Sequence, residues 1–185
     1  MNTDDLNLQM CEFALARLAE MGERKGGLYN YYAVLSKAGR MLRPEEIAVA
    51  EYISRVMPEK TILELCSGAA QLGHLLSLQG RTVSAIEIDP LRHAFAVALG
   101  AHVSSKCSLV LGGWQSMKLS DYGLLVTLNA ATSHIFPADT QWLVDYARGG
   151  GEFIIRPRQF GAGIPVEIPG LEATQVFEDV YHYRA

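Results

Sequence analysis

The chain has 185 residues, of which 49% are hydrophobic and 19% charged, with a net charge of -4 and a pI near 5.7. That length suits one domain with its own core, and the composition excludes a disordered chain. The acidic balance argues against a dedicated nucleic-acid binder, and no stretch is long and apolar enough to span a bilayer. The acidic start MNTDDLNLQM lacks the charge pattern of a secretory signal. Cys11, Cys66 and Cys107 have no tight spacing, so neither a disulfide framework nor a zinc site is expected, and a reducing cytoplasm is the default location.

The first 58 residues read as helical. Leu6, Met10, Phe13, Leu18 and Met21 form one apolar stripe, with Thr3 as cap and Asp4 and Asp5 in the first turn. Gly26-Gly27 breaks this helix, and YNYYAVLSKAGRML carries a second. A third starts at Pro44, buries Ile47, Ala50, Ile53 and Met57, and stops at Pro58.

From Thr61 the pattern changes to short apolar runs: TILEL (61–65), TVSAIEI (82–88), CSLVL (107–111), GLLVTL (123–128) and EFIIR (152–156). Such runs suit strands buried on both faces of a parallel sheet. After the second run, Asp89 and Pro90 start a helix that buries Leu91, Ala94, Phe95, Ala98 and Leu99 and ends at Gly100. Another helix runs from about Thr140 to Arg148, with Trp142, Leu143 and Tyr146 inward. LEATQVFED and VYHYRA close the chain as an antiparallel pair, and RQFGAGIPVEIPG before them is poor in helix formers. The expected fold is α/β: a Rossmann-like, doubly wound, mostly parallel sheet with an antiparallel C-terminal strand pair and N-terminal helices.

The chemistry concentrates in ILELCSGAAQLG, residues 62–73. A loop of small residues between a buried strand and a helix lets a ligand approach backbone N–H groups closely. Cys66, Ser67, Gly68, Ala69 and Ala70 supply that loop. Glu64, within the strand, faces a ligand ammonium or bonds to backbone N–H groups of the turn. Glu87 ends the second strand about 20 residues on, where a carboxylate accepts hydrogen bonds from both ribose hydroxyls. Ala69-Ala70 fits the dinucleotide fingerprint G-x-G-x-x-G poorly, so a cofactor without a pyrophosphate is favoured over NAD.

Leu63-Glu64-Leu65-Cys66-Ser67-Gly68-Ala69-Ala70, together with Glu87, resembles the first two motifs of the class I S-adenosylmethionine-dependent methyltransferases. The order of elements from Thr61 to about Arg156 agrees, as does the final strand pair. Of the family's three loop glycines only Gly68 is kept; Cys66 and Ala70 replace the others. After the third strand, where the family often has an acid near the adenine, this sequence reads Gly112-Gly113-Trp114-Gln115, so either Trp114 stacks on the base or Gln115 bonds to its edge.

The resemblance implies a cofactor, S-adenosyl-L-methionine, with S-adenosyl-L-homocysteine as product, held by Glu64, Cys66, Ser67, Gly68, Ala69, Glu87, Ile88, Trp114, Gln115 and Asn129. It implies one domain: residues 1–58 as a helical lid and 59–185 as the cofactor-binding core. It sets Asn129-Ala130-Ala131-Thr132-Ser133-His134 beside the transferred methyl, with His134 as general base or as an ordinary loop histidine. Arg156 and Arg158 clamp an anionic acceptor or form surface salt bridges. Tyr29 and Tyr32 wall the acceptor pocket or pack between helices. No Asn/Asp-Pro-Pro-Tyr/Phe signature and no Asp/Asn metal cluster is seen, so no metal is expected. The activity implied is methyl transfer to an oxygen or nitrogen of a small molecule by a monomer or homodimer. The alternatives are aminocarboxypropyl transfer, as in nicotianamine synthase-like enzymes, and a non-catalytic interaction subunit.

Overall fold

The computed structural model describes residues 2–20, 27–128, 141–159, 162–163 and 166–185, with the side chains of 27–29, 158–159 and 162–163 outside the description. Helix α1 spans Thr3–Glu20, and its cap is Asn2 rather than Thr3: Asn2 Oδ1 accepts the Asp5 N–H at 2.7 Å. Asparagine caps at least as well as threonine, so the helix starts one residue earlier than expected. α1 buries Leu6, Met10, Cys11, Ala14 and Leu18. α2 (Gly27–Lys37) is followed by α3 (Pro44–Val56), whose Glu46 carboxylate accepts the Arg43 N–H at 2.9 Å and closes the first turn. Val49, Ala50 and Ile53 are buried on α3, while Ile47 is only partly covered.

The strands and helices then alternate: β1 (Ile62–Leu65), α4 (Gln71–Leu78), β2 (Val83–Glu87), α5 (Pro90–His102), β3 (Ser108–Leu111), β4 (Leu124–Thr127), α6 (Gln141–Arg148) and β5 (Glu152–Ile155). A small pair, β6 (Arg158–Gln159) and β7 (Ala162–Gly163), precedes the closing hairpin of β8 (Glu172–Phe177) and β9 (Val180–Arg184). The seven-stranded sheet runs β3-β2-β1-β4-β5-β9-β8. β1 to β5 are parallel, and β9 enters antiparallel between β5 and β8.

Alternation along each strand sorts side chains onto two faces. Ile62, Leu124, Val126, Ile154 and Val180 pack under the N-terminal helices, α4 and α5, whose apolar residues join them in one core. Leu63, Leu65, Ile86, Leu125, Phe153, Ile155 and Tyr183 pack on the other face with Leu143, Val144 and Ala147 of α6. β3 departs from the expectation of burial on both faces: it is the sheet edge, and Leu111 is half exposed. The chain passes from β3 to β4 through two 3₁₀ turns, Trp114–Ser116 and Leu119–Asp121, because the connection is too short for a crossover helix.

α5 starts as expected. Asp89 Oδ1 accepts from the N–H groups of Leu91 at 2.8 Å and Arg92 at 3.1 Å, with Pro90 next. Its buried face is turned from the expected one: Phe95, Ala96, Leu99 and Gly100 are covered, whereas Leu91 and Ala94 are exposed. Gly100 lies inside the helix and does not end it. A Cβ there would stand 2.6 Å from His74 Cε1, so the bare backbone makes room for the imidazole between α4 and α5. His74 is fully buried, 3.0 Å from Ser105 Oγ and 3.1 Å from the Ala96 carbonyl, and burial pushes its pKa down to about 4.

Candidate functional site

Strand order reverses between β1 and β4, and in open α/β sheets the crevice beyond the carboxyl ends at such a point is the binding position. The loop after β1 takes three left-handed residues in alternation: Cys66 (φ 51°), Gly68 (φ 57°) and Ala70 (φ 53°). Glycine enters this region freely, whereas other residues pay about 1 kcal/mol or more. Cys66 and Ala70 thus hold a backbone conformation that glycine would enter freely. The loop is tied to the sheet by the Ser67 N–H on the Ile86 carbonyl at 3.0 Å and closes on itself by the Ala70 N–H on the Ser67 carbonyl at 2.8 Å.

Glu87, at the end of β2, is buried and holds this loop. One carboxylate oxygen accepts the Gly68 N–H at 2.8 Å and the other accepts the Asp89 N–H at 2.9 Å. Glu64 lies on the same face of the sheet, its Oε2 accepting the Gly73 N–H at 2.9 Å. The bond it makes is thus to a backbone N–H in the first turn of α4. Burial first, and then the neighbouring Glu46 carboxylate, push its pKa up to about 8. Burial also pushes the Cys66 thiol up to about 11, so it is a neutral wall group.

A cavity of about 260 Å³ opens beside this loop, lined by Cys66, Ile86, Ile88, Gly112, Gly113, Trp114 and Gln115. Trp114 is stacked on Trp142 of α6 with ring centroids 5.0 Å apart, so only one ring face is left for a ligand. A larger cavity of about 440 Å³ lies at the opposite end of the sheet, around Thr61, Gly123 and Gly151, which precede β1, β4 and β5. The smaller one occupies the carboxyl ends and adjoins the loop. Tyr32, buried and stacked flat on Phe95 at 5.1 Å, reaches the loop from α2. Its hydroxyl meets the Ala69 backbone and stands 2.8 Å from where a Cβ on Gly68 would be.

No protein-family model matches the sequence, and no curated protein does. Solved structures match in three dimensions. A TehB-like SAM-dependent methyltransferase from Corynebacterium glutamicum is 20% identical over 85% of this chain and 97% of its own, with a TM-score of 0.57. An RNA methyltransferase from Salinibacter ruber, in complex with S-adenosyl-L-homocysteine, is 14% identical over 76% of this chain and 88% of its own, at 0.55. WbdD is 13% identical over 76% of this chain, at 0.53. The chain has the class I methyltransferase fold. It spans 56%, 52% and 38% of three longer matched proteins, the Pyrococcus horikoshii PH0226 protein, the glycopeptide N-methyltransferase MtfA and WbdD.

The β9 insertion belongs to this methyltransferase fold, and the hairpin that carries it engages one of the arginines named from sequence. Arg156 Nε is 2.8 Å from Asp179 in the β8–β9 turn, and its Nη2 is 3.4 Å from Glu45 on α3. Its guanidinium is thus a strut between the N-terminal helices and the sheet. The methyltransferase fold brings together Cys66, Ile88, Trp114 and Gln115 on one cavity wall, with Ser67, Gly68, Ala69 and Glu87 in the adjoining turn. Glu64 sits behind that turn, beneath Gly73. Asn129 and His134 lie outside the described residues, as do the side chains of Tyr29 and Arg158. Of the two places sequence reading gave Tyr32, an acceptor wall or packing between helices, the structure shows it buried against Phe95 of α5, with its hydroxyl over the loop at Gly68. Sequence reading missed Ile86 as a lining residue, because the side chain belongs to an ordinary apolar run. Gly112-Gly113, just past β3, was the available signal for close approach at that wall. No helix among the described residues is long and apolar enough to cross a membrane, and none of their His, Cys, Asp and Glu side chains group in threes around a metal position.

Proposed function

We propose that this chain binds S-adenosylmethionine and transfers its methyl group to an oxygen or nitrogen of a small molecule, releasing S-adenosylhomocysteine. The observation that carries this reading is Glu87, whose carboxylate fastens Gly68 and Asp89 at the edge of the 260 Å³ cavity. The residues present fit the cofactor. The cavity is mostly apolar and below the roughly 300–1,000 Å³ that enclose a whole drug-sized ligand, which suits a base with the remainder lying across the loop. Glu87 spends one N–H acceptance on each oxygen, and each oxygen retains a lone-pair site for a ribose hydroxyl.

When bound, the cofactor supplies an activated methyl group on a sulfonium. The chain's own residues position and shield. Trp114 and Ile88 bound the base, Cys66, Ser67, Gly68 and Ala69 present backbone to the tail, and Tyr32 seals the loop from solvent. We assign His134 and Asn129 to the acceptor side of the cofactor by the same reading, with His134 taking the acceptor's proton. The net charge of -4 favours a small acceptor over a nucleic acid.

Titration calorimetry with S-adenosylhomocysteine tests the proposal. Binding in the micromolar range is expected, and Glu87→Ala weakens it at least about tenfold through the lost hydroxyl contacts and the loosened loop. Absence of binding by the unaltered protein overturns the assignment and leaves the interaction-subunit reading. Methylthioadenosine in place of S-adenosylhomocysteine after turnover on a metabolite extract assigns aminocarboxypropyl transfer instead.

A further inference from the structure

We infer that Gln115 reads the base in this cavity, and that the cavity therefore accepts a 6-oxopurine nucleoside about as readily as a 6-aminopurine one; the inference rests on the cofactor reading above. Of the lining side chains, Ile86 and Ile88 offer no hydrogen bond, Trp114 can only donate, and Cys66 is a weakly bonding thiol. Among the described residues no carboxylate lines the cavity, and Glu87 lies in the adjoining turn, where its oxygens hold the Gly68 and Asp89 N–H groups. Gln115 is exposed at the rim and folds back so that Oε1 comes within 2.8 Å of the position of a Cβ on Gly113. Among the described residues no group holds its amide in place.

An amide in this position has two faces. With Oε1 toward the 6-amino group and Nε2 toward N1 it pairs with adenine. Turned over, Nε2–H donates to a 6-oxo group and Oε1 accepts from N1–H of hypoxanthine. A half-turn about the last side-chain bond interconverts the two, and no hydrogen bond among the described residues resists it. A carboxylate at the same place can only accept, so it would face an unpaired lone pair in either base, N1 of adenine or the 6-oxo group of hypoxanthine. Discrimination between bases comes from leaving such a group unpaired, and an amide free to turn leaves neither base unpaired.

The test is calorimetric titration with S-adenosylhomocysteine and S-inosylhomocysteine. For the unaltered protein the two dissociation constants are expected to agree within about threefold. Gln115→Glu and Gln115→Leu are each expected to weaken both ligands alike, by up to about tenfold, because each removes the donor that both bases use. Strong binding of the adenosyl compound with rejection of the inosyl one overturns this inference and leaves the cofactor reading standing. Unchanged binding of both ligands by Gln115→Leu overturns it too. Binding of neither ligand overturns both.

Discussion

The hydroxyl of Tyr32 stands 2.8 Å from the position that a Cβ would take on Gly68. One residue comes from the N-terminal helices and the other from the loop after β1, so the two parts of the chain meet at the turn where we place the cofactor's tail. Gly68 is constrained twice, by this contact and by its left-handed backbone (φ 57°). Gly68→Ala is expected to cost about 1–3 kcal/mol of stability. Adding Tyr32→Phe should return the steric share and leave the backbone share. Urea unfolding of the two single variants and the double variant gives the coupling directly, and purely additive losses would refute the contact's role.

Cys66 and Ala70 hold left-handed conformations without glycine's freedom. Glycine at either position relieves about 1–2 kcal/mol of backbone strain and forfeits roughly 0.4–1 kcal/mol through the more flexible unfolded chain. Ala70→Gly and Cys66→Gly are therefore expected to be neutral or stabilising by up to about 1 kcal/mol, unlike most replacements by glycine. Thermal melting of the two variants checks this, and a fall in Tm for both would count against it.

Two buried groups give opposing pH dependences. The His74 pKa is lowered from 6.5 to about 4, so the unfolded chain binds the extra proton and stability falls as pH drops from 6.5 towards 4. The Glu64 pKa is raised from 4.5 to about 8, so the folded chain binds the extra proton and stability rises as pH drops from 8 towards 4.5. Each is worth about 2 kcal/mol between pH 7 and pH 5, with opposite sign, so their sum is nearly flat there. Glu64→Gln should unmask the His74 loss, and His74→Asn the Glu64 gain, in urea titrations at the two pH values. Matching slopes for both variants would contradict the assignment.

Arg156 braces Glu45 and Asp179. Its guanidinium is largely covered and Asp179 is not, so Arg156→Ala is expected to cost only about 1–2 kcal/mol of stability. Affinity for S-adenosylhomocysteine should stay within about twofold, since the brace touches no residue of the cavity wall. Calorimetry on the folded variant separates the roles: a large loss of cofactor affinity would return Arg156 to the binding site.

Much of this architecture is local, and local features are legible in a sequence. The apolar runs at 61–65, 82–88, 123–128 and 152–156 contain β1, β2, β4 and β5 because a strand buried on both faces has few other ways to be written. Asp89-Pro90 reads as a helix start because the capping bonds span only two and three residues. What escapes is set by distant partners. The face α5 buries depends on where the His74 imidazole lodges, so Gly100 reads as a terminator when it is an opening. The partners of Arg156 come from α3 and from the last turn of the sheet, and nothing near Arg156 in sequence announces them. The same holds for His182, which bonds Tyr52 at 2.9 Å and Glu152 at 2.6 Å across three elements.

β9 is flanked on both sides by other strands, and Val180 and Tyr183 are wholly buried. The piece that finishes the interior is thus synthesised after all of the parallel strands. Until it arrives, β5 presents an open edge and Phe153 lacks the ring it stacks on, 4.9 Å away. Pairing across such sequence separations is slow, and unpaired edges invite aggregation. Nascent chains halted before Val180 should therefore depend on chaperones in a way that chains containing β9 do not.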